Sequence, residues 1–121
     1  MNFKNVGELR SYLLGKEKER KTFPEIAVTS EQLHKIRESI EQTIYKISRK
    51  KKVIDFLSEN DNKYLPLILA DISSLKKELY SFLDDYSEKY KEYDELCQKY
   101  NINNNFVKNP LELVIIYSQK Y

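Results

Sequence analysis

Side chains that could act together in catalysis are scarce in this chain of 121 residues. It contains one histidine, His34, and one cysteine, Cys97. A zinc site of Cys and His ligands needs about four such groups, and a single histidine would have to serve any Ser-His or Cys-His nucleophile. A glycine-rich phosphate loop needs more glycines than Gly7 and Gly15. We therefore predict that the chain is not an enzyme and that it has no metal site and no cofactor.

Tyrosine is the strongest bias among the side chains, with ten in the chain. Tyrosine offers a large contact area with few rotatable bonds, and it is enriched in protein interfaces. Four tyrosines near the end of the second predicted long helix, with two neighbours, form a candidate partner-binding site: Tyr86, Tyr90, Tyr93, Asp94, Leu96 and Tyr100. The same tyrosines could instead form a core layer whose hydroxyl groups reach water. The sequence leaves both alternatives open.

A basic cluster offers a different chemistry, the binding of phosphate groups in a nucleic acid. Its members are Lys46, Arg49, Lys50, Lys51 and Lys52. On a helix these residues spread most of the way around the axis, and the net charge of the chain is only +2. A solvated helix face is therefore favoured, and nucleic-acid binding is kept as an alternative function.

The composition is typical of a helical protein with a large solvated surface. Charged residues make up 33% of the chain, and only two glycines and three prolines are available for turns. No run of residues is long and apolar enough to cross a membrane, and the first residues lack the apolar core of a signal peptide. We expect a cytoplasmic protein. Its Lys, Asn, Ile and Tyr bias suggests an AT-rich genome, such as that of a phage or mobile element.

The first part of the chain, residues 1–28, is predicted to hold a short helix at about 5–20 and then an extended connector. Thr29 fits the N-cap of a long helix, because Gln32 completes a capping box and Val28 and Leu33 form a hydrophobic staple. Apolar residues at steps of three and four continue the pattern to about residue 58. We therefore predict a first long helix over about 30–58.

A second long helix is predicted over about 65–100, with a turn before it at Asn60-Asp61-Asn62 and Pro66 in its first turn. Its apolar residues recur every seven positions, at Ile72, Leu79, Tyr86, Tyr93 and Tyr100. Such a heptad pattern is typical of helices that pack along one another. At about 1.5 Å per residue the first helix is about 12 Å shorter, so the tyrosine-rich end of the second would project beyond it.

The last segment, 106–119, is predicted to contain a short helix after a turn at Asn101–Asn105. Asn109, Pro110 and Glu112 fit an N-cap, a first-turn proline and a capping-box residue. Residues 111–117 are also rich enough in β-branched side chains for a strand. Cap chemistry favours the helix.

These elements predict an all-α fold in a single domain, 1–121: a long, unequal antiparallel helical hairpin at 29–100, braced by short N- and C-terminal helices. The leading functional hypothesis is a protein–protein interaction module, such as an accessory or inhibitor protein, that binds a larger protein through its tyrosine-rich end. The alternatives are nucleic-acid binding through the basic cluster and a homodimer that pairs the heptad seam of the second helix.

Overall fold

The computed structural model describes residues 24–57 and 63–121 of the chain. Within these ranges α1 spans Pro24–Phe56, α2 spans Leu65–Lys99 and α3 spans Pro110–Lys120. α1 and α2 pack along each other in opposite directions, and α3 lies mainly against α1. The all-α hairpin with a short C-terminal helix is confirmed. The predicted N-terminal helix at 5–20 and the turn at 60–62 lie outside the described residues.

α1 begins at Pro24, well before the predicted cap at Thr29. Proline suits the first helical position because its missing N–H would have no partner there. The Thr29 hydroxyl donates to the carbonyl of Glu25 at 2.8 Å, a bond made inside the helix. The predicted N-cap at Thr29 and the extended connector over residues 25–28 are therefore wrong.

Burial of Ile26 explains why the helix starts early. Ile26 is 1% exposed and continues the same apolar stripe as Leu33, so folding residues 24–28 into the helix removes a large side chain from water. The capping signals around Thr29 depend only on neighbouring residues, so they could not predict the stabilisation that comes from burying Ile26. α1 has 33 residues and α2 has 35, so the predicted length difference of about 12 Å falls to about 3 Å.

The heptad seam of α2 supplies its half of the core. Four members of the series, Ile72, Leu79, Tyr86 and Tyr93, are buried. They form one apolar cluster with buried residues of α1 and with Leu113 of α3. Burial of the seam between the two arms confirms the packing that the seven-residue repeat predicts.

A left-handed residue ends α2 and turns the chain back. Asn101 has φ 55°, a conformation that asparagine tolerates better than most residues. The amide of Ile102 donates to the carbonyl of Cys97 at 2.8 Å, and the amide of Asn101 donates to Gln98 at 3.3 Å. These two bonds define a Schellman motif. The return segment, residues 101–109, follows it.

α3 starts as its local sequence predicts. The side chain of Asn109 accepts a hydrogen bond from the amide of Leu111 at 3.0 Å, and Pro110 lies in the first turn. The segment 111–117 is therefore helical and not a strand. The residue after its end is held on α1, where the Ser48 hydroxyl donates to a backbone oxygen of Tyr121 at 3.1 Å.

Replacing Asn109 with alanine tests this cap. We expect Asn109→Ala to lower the free energy of unfolding by about 1 kcal/mol, because the Leu111 amide loses its side-chain acceptor. Asn105→Ala, at an exposed position of the return segment, is the matched control and should change stability by less than about 0.5 kcal/mol. Urea unfolding followed by circular dichroism measures both, and equal losses in the two variants would contradict the cap.

Candidate functional site

The tyrosines predicted to bind a partner divide into buried and partly exposed residues. Tyr86 is 0% exposed and Tyr93 is 7% exposed, so both belong to the core of the chain. The Tyr86 hydroxyl donates to the carbonyl of Val107, in the return segment, at 2.7 Å. Both tyrosines are thus core residues, but the Tyr86 hydroxyl bonds to the backbone and does not reach water as the core-layer alternative expected.

The surroundings of Tyr86 change its acidity. Burial raises the pKa of its phenol from 10.0 to about 12. The charge of Arg37 opposes this rise in the pKa, while the phenols of Tyr90 and Tyr117 add to it. An uncharged phenol suits this position, since its proton is the one donated to Val107.

An aromatic cluster closes the end of the hairpin over Tyr93. The ring of Phe106, in the return segment, meets Tyr93 edge to face with 5.2 Å between centroids. His34 lies 4.8 Å from the same ring, and the Arg37 guanidinium is 5.7 Å from its centroid. Arg37 also donates to Nδ1 of His34 at 2.9 Å. The His34 ring therefore packs against the return segment, while its hydrogen bond to Arg37 is made within α1.

The other predicted partner-binding residues are half-buried and make separate contacts. Asp94 accepts hydrogen bonds from Gln98 at 3.0 Å and from Asn104 at 3.1 Å, which ties the return segment to α2. Leu96 lines a mixed polar groove of about 620 Å³ near Pro24. Tyr90 stacks near Tyr86 at a centroid distance of 6.4 Å, and Lys99 lies 5.2 Å from the centre of the Tyr100 ring.

The basic cluster is dispersed around α1. Lys50 pairs with Asp71 of α2 at 3.2 Å, and the Arg49 guanidinium lies 5.8 Å from the centre of the Tyr45 ring. Lys46 lines a groove that also contains Glu38, Glu41 and Glu78. Interleaved carboxylates weaken the positive field that a phosphate backbone would need. This arrangement favours a solvated helix face over a track for nucleic acid.

An apolar groove that the sequence did not reveal lies where the three described helices meet. We call it the three-helix groove. Its cavity volume is about 270 Å³, and its floor and walls come from α1, α2 and α3. The lining residues are Ile44, Ile47, Lys51, Lys76, Leu79, Tyr80, Leu83, Leu111, Val114 and Ser118.

Large apolar side chains stand exposed on the walls of the three-helix groove. Tyr80 is 63% exposed and Leu111 is 56% exposed. Ile115 is also exposed, and it follows Leu111 by four residues, so both lie on one face of α3. The available signal in the sequence was the large share of apolar residues in α3, where Leu111, Val114, Ile115 and Ile116 are apolar in addition to the buried Leu113.

Comparison with models of known protein families, with curated proteins and with solved structures found no match for this chain. Among residues 24–57 and 63–121, no group of three or more His, Cys, Asp or Glu side chains is placed to hold a metal ion. None of the helices in the described part has the length and apolar character that a membrane span requires.

Removing the Tyr86 hydroxyl should weaken the fold. We expect Tyr86→Phe to lower the free energy of unfolding by about 1 kcal/mol, because the buried bond to Val107 is lost while the ring still fills its site. Tyr80→Phe is the control, since its ring is exposed, and it should leave stability unchanged within about 0.5 kcal/mol. Chemical denaturation of the wild type and the two variants measures these differences. Equal stabilities of the wild type and Tyr86→Phe would show that the hydrogen bond to Val107 contributes nothing to folding.

The same residue predicts a pH dependence. Because the pKa of Tyr86 is raised in the folded protein, the folded state keeps a proton that the unfolded chain releases. Its contribution is fully present below the ordinary pKa of 10.0 and is lost as the pH rises through about 12. The stability advantage of the wild type over Tyr86→Phe should therefore shrink in unfolding experiments from about pH 9 to about pH 11. A constant difference would contradict the raised pKa.

Proposed function

We propose that this chain is a non-enzymatic protein-binding module and that the three-helix groove is its docking surface. The observation that carries the proposal is the exposure of Tyr80 and Leu111 on the walls of an apolar cavity. A contiguous exposed apolar patch is characteristic of a surface that another molecule covers. The proposal keeps the predicted class of function and moves the surface away from the tyrosine-rich end of α2.

The size of the groove supports a protein as the occupant. Its volume of about 270 Å³ is below the range of about 300–1,000 Å³ that is usual for small-molecule sites. It suits one or two large apolar side chains inserted from a partner, and central anchors of that kind supply most of the binding energy in interfaces. The exposed side chain of Ile115 extends the apolar surface beyond the cavity, as a larger contact requires.

Two features separate this surface from other candidates. Exposed apolar side chains also occur at Phe56 and Tyr64, but these positions flank in sequence residues 58–62, which lie outside the described ranges. The described lining of the three-helix groove comes from all three helices. The seam of α2, proposed for a homodimer, packs within the chain's own core, so it offers less free apolar surface than the groove does.

A pair of adjacent residues on α3 provides the test. Ile115 and Ile116 are 58% and 51% exposed, and successive helical residues point about 100° apart. A photoreactive amino acid at position 115 should crosslink to a partner protein in the cells that produce the chain, and the same group at position 116 should not. Leu111→Ser should reduce the adduct at position 115 by roughly fivefold or more, because truncating a central anchor costs more than about 1 kcal/mol.

The controls make the result specific to the surface. Leu111 and Ile116 are exposed, so Leu111→Ser and Ile116→Ser should each keep the thermal stability of the wild type, and Ile116→Ser should leave the adduct at position 115 intact. Equal crosslinking at positions 115 and 116, or an adduct that is insensitive to Leu111→Ser, would reject the groove as the docking surface. Adducts between two copies of the chain would point to self-association instead.

A further inference from the structure

We infer that the partner presents an amphipathic helix whose apolar anchors are flanked by acidic side chains. This inference rests on the proposed function and names the chemistry of the segment that the groove accepts. Its basis is the juxtaposition of Lys51 from α1 and Lys76 from α2 on the lining of one apolar cavity. Among the described residues that line it there is no carboxylate.

The two lysines place positive charge beside an apolar floor. Lys51 and Lys76 are exposed, and they come from different helices that both border the cavity. The aliphatic stem of a lysine can cover apolar surface while its ammonium group stays in water. An occupant buries its apolar side chains between these ammonium groups. Negative charge next to those side chains should therefore strengthen its binding, and positive charge should weaken it.

The shape of the site indicates a helical segment. The groove runs between packed helices, so its walls are side chains, and within the described ranges the backbone that borders it is already hydrogen-bonded within helices. It therefore lacks the free strand edge to which an extended peptide could add. A helix instead presents anchors at positions i and i+4 on one face and can place acidic residues on both sides of them.

Charge argues against this chain as its own ligand. Residues 1–23 contain several apolar side chains, but they carry six basic and three acidic residues, a net charge of +3. That sign matches the lysines of the groove and would be repelled. The acidic part of α2 has the required charge, but its exposed positions are all polar: Asp84, Asp85, Glu88, Lys91, Glu92, Glu95, Gln98 and Lys99. Such a surface on a second copy offers no apolar anchor.

Three designed helical peptides test the inference on the full-length protein. They share leucine anchors at positions i and i+4 and differ only in the flanking residues, which are Glu, Gln or Lys. Fluorescence anisotropy should show the tightest binding for the Glu peptide and the weakest for the Lys peptide. Two exposed charge pairs predict a ratio of roughly fivefold between the Glu and Gln peptides, and added salt should reduce it.

Charge reversal in the protein identifies the responsible residues. The double variant Lys51→Glu and Lys76→Glu should reverse the order and favour the Lys peptide. The matched control reverses Lys52 and Lys77, the next residue on each helix, which do not line the cavity; this variant should still favour the Glu peptide. Leu111→Ser should weaken binding of all three peptides, which ties the measurement to the apolar floor.

The outcomes separate this inference from the proposed function. Equal binding of the three peptides, or an order that the Lys51 and Lys76 reversal does not change, would overturn the acidic partner while the position-specific crosslinks stand. No binding of the Glu peptide up to about 1 mM, the range of very weak association, would also overturn it. Loss of the difference between positions 115 and 116 in crosslinking would reject the docking surface itself.

Discussion

The apolar seam of α2 must be kept out of water along its length, and the rest of the described chain is arranged around that requirement. α1 covers most of the seam with a stripe that runs from Ile26 to Ile47. Where α1 alone does not close the end of the hairpin, the return segment contributes Phe106 against Tyr93 and a carbonyl acceptor to Tyr86. Burial of large side chains is the dominant favourable contribution to folding, so these contacts determine where the flanking segments lie.

Polar groups make this aromatic core specific. A buried tyrosine destabilises the folded protein unless its hydroxyl forms a hydrogen bond. The carbonyl of Val107 accepts that bond from Tyr86 at 2.7 Å. Asp94 and Asn104 add a second tie between α2 and the return segment. The position of the return segment then sets where α3 starts, after its N-cap Asn109, so the direction of the last helix depends on contacts made at the buried tyrosines.

Because α3 is short and rests on the hairpin through one face, it leaves apolar side chains exposed. Leu113 is buried beneath it, whereas Leu111 and Ile115 on another face remain in water. The three-helix groove therefore results from how α3 is attached. This helix carries apolar side chains on two faces, and the hairpin buries only one of them. The docking surface proposed for this protein is the uncovered face, with Lys51 and Lys76 defining its charge.

The sequence by itself determined the elements whose signals are local or periodic. Pro66, the Asn109-Pro110 pair and the asparagines after residue 100 mark helix ends through backbone chemistry within a few residues, and the seven-residue repeat identifies the buried face of α2. The tertiary structure decided what depends on distant residues. Burial of Ile26 extended α1 past a good capping signal at Thr29, and the return segment placed Tyr86 and Tyr93 in the core. The three-helix groove combines residues from three helices far apart in the chain, so only their packing could bring its lining together.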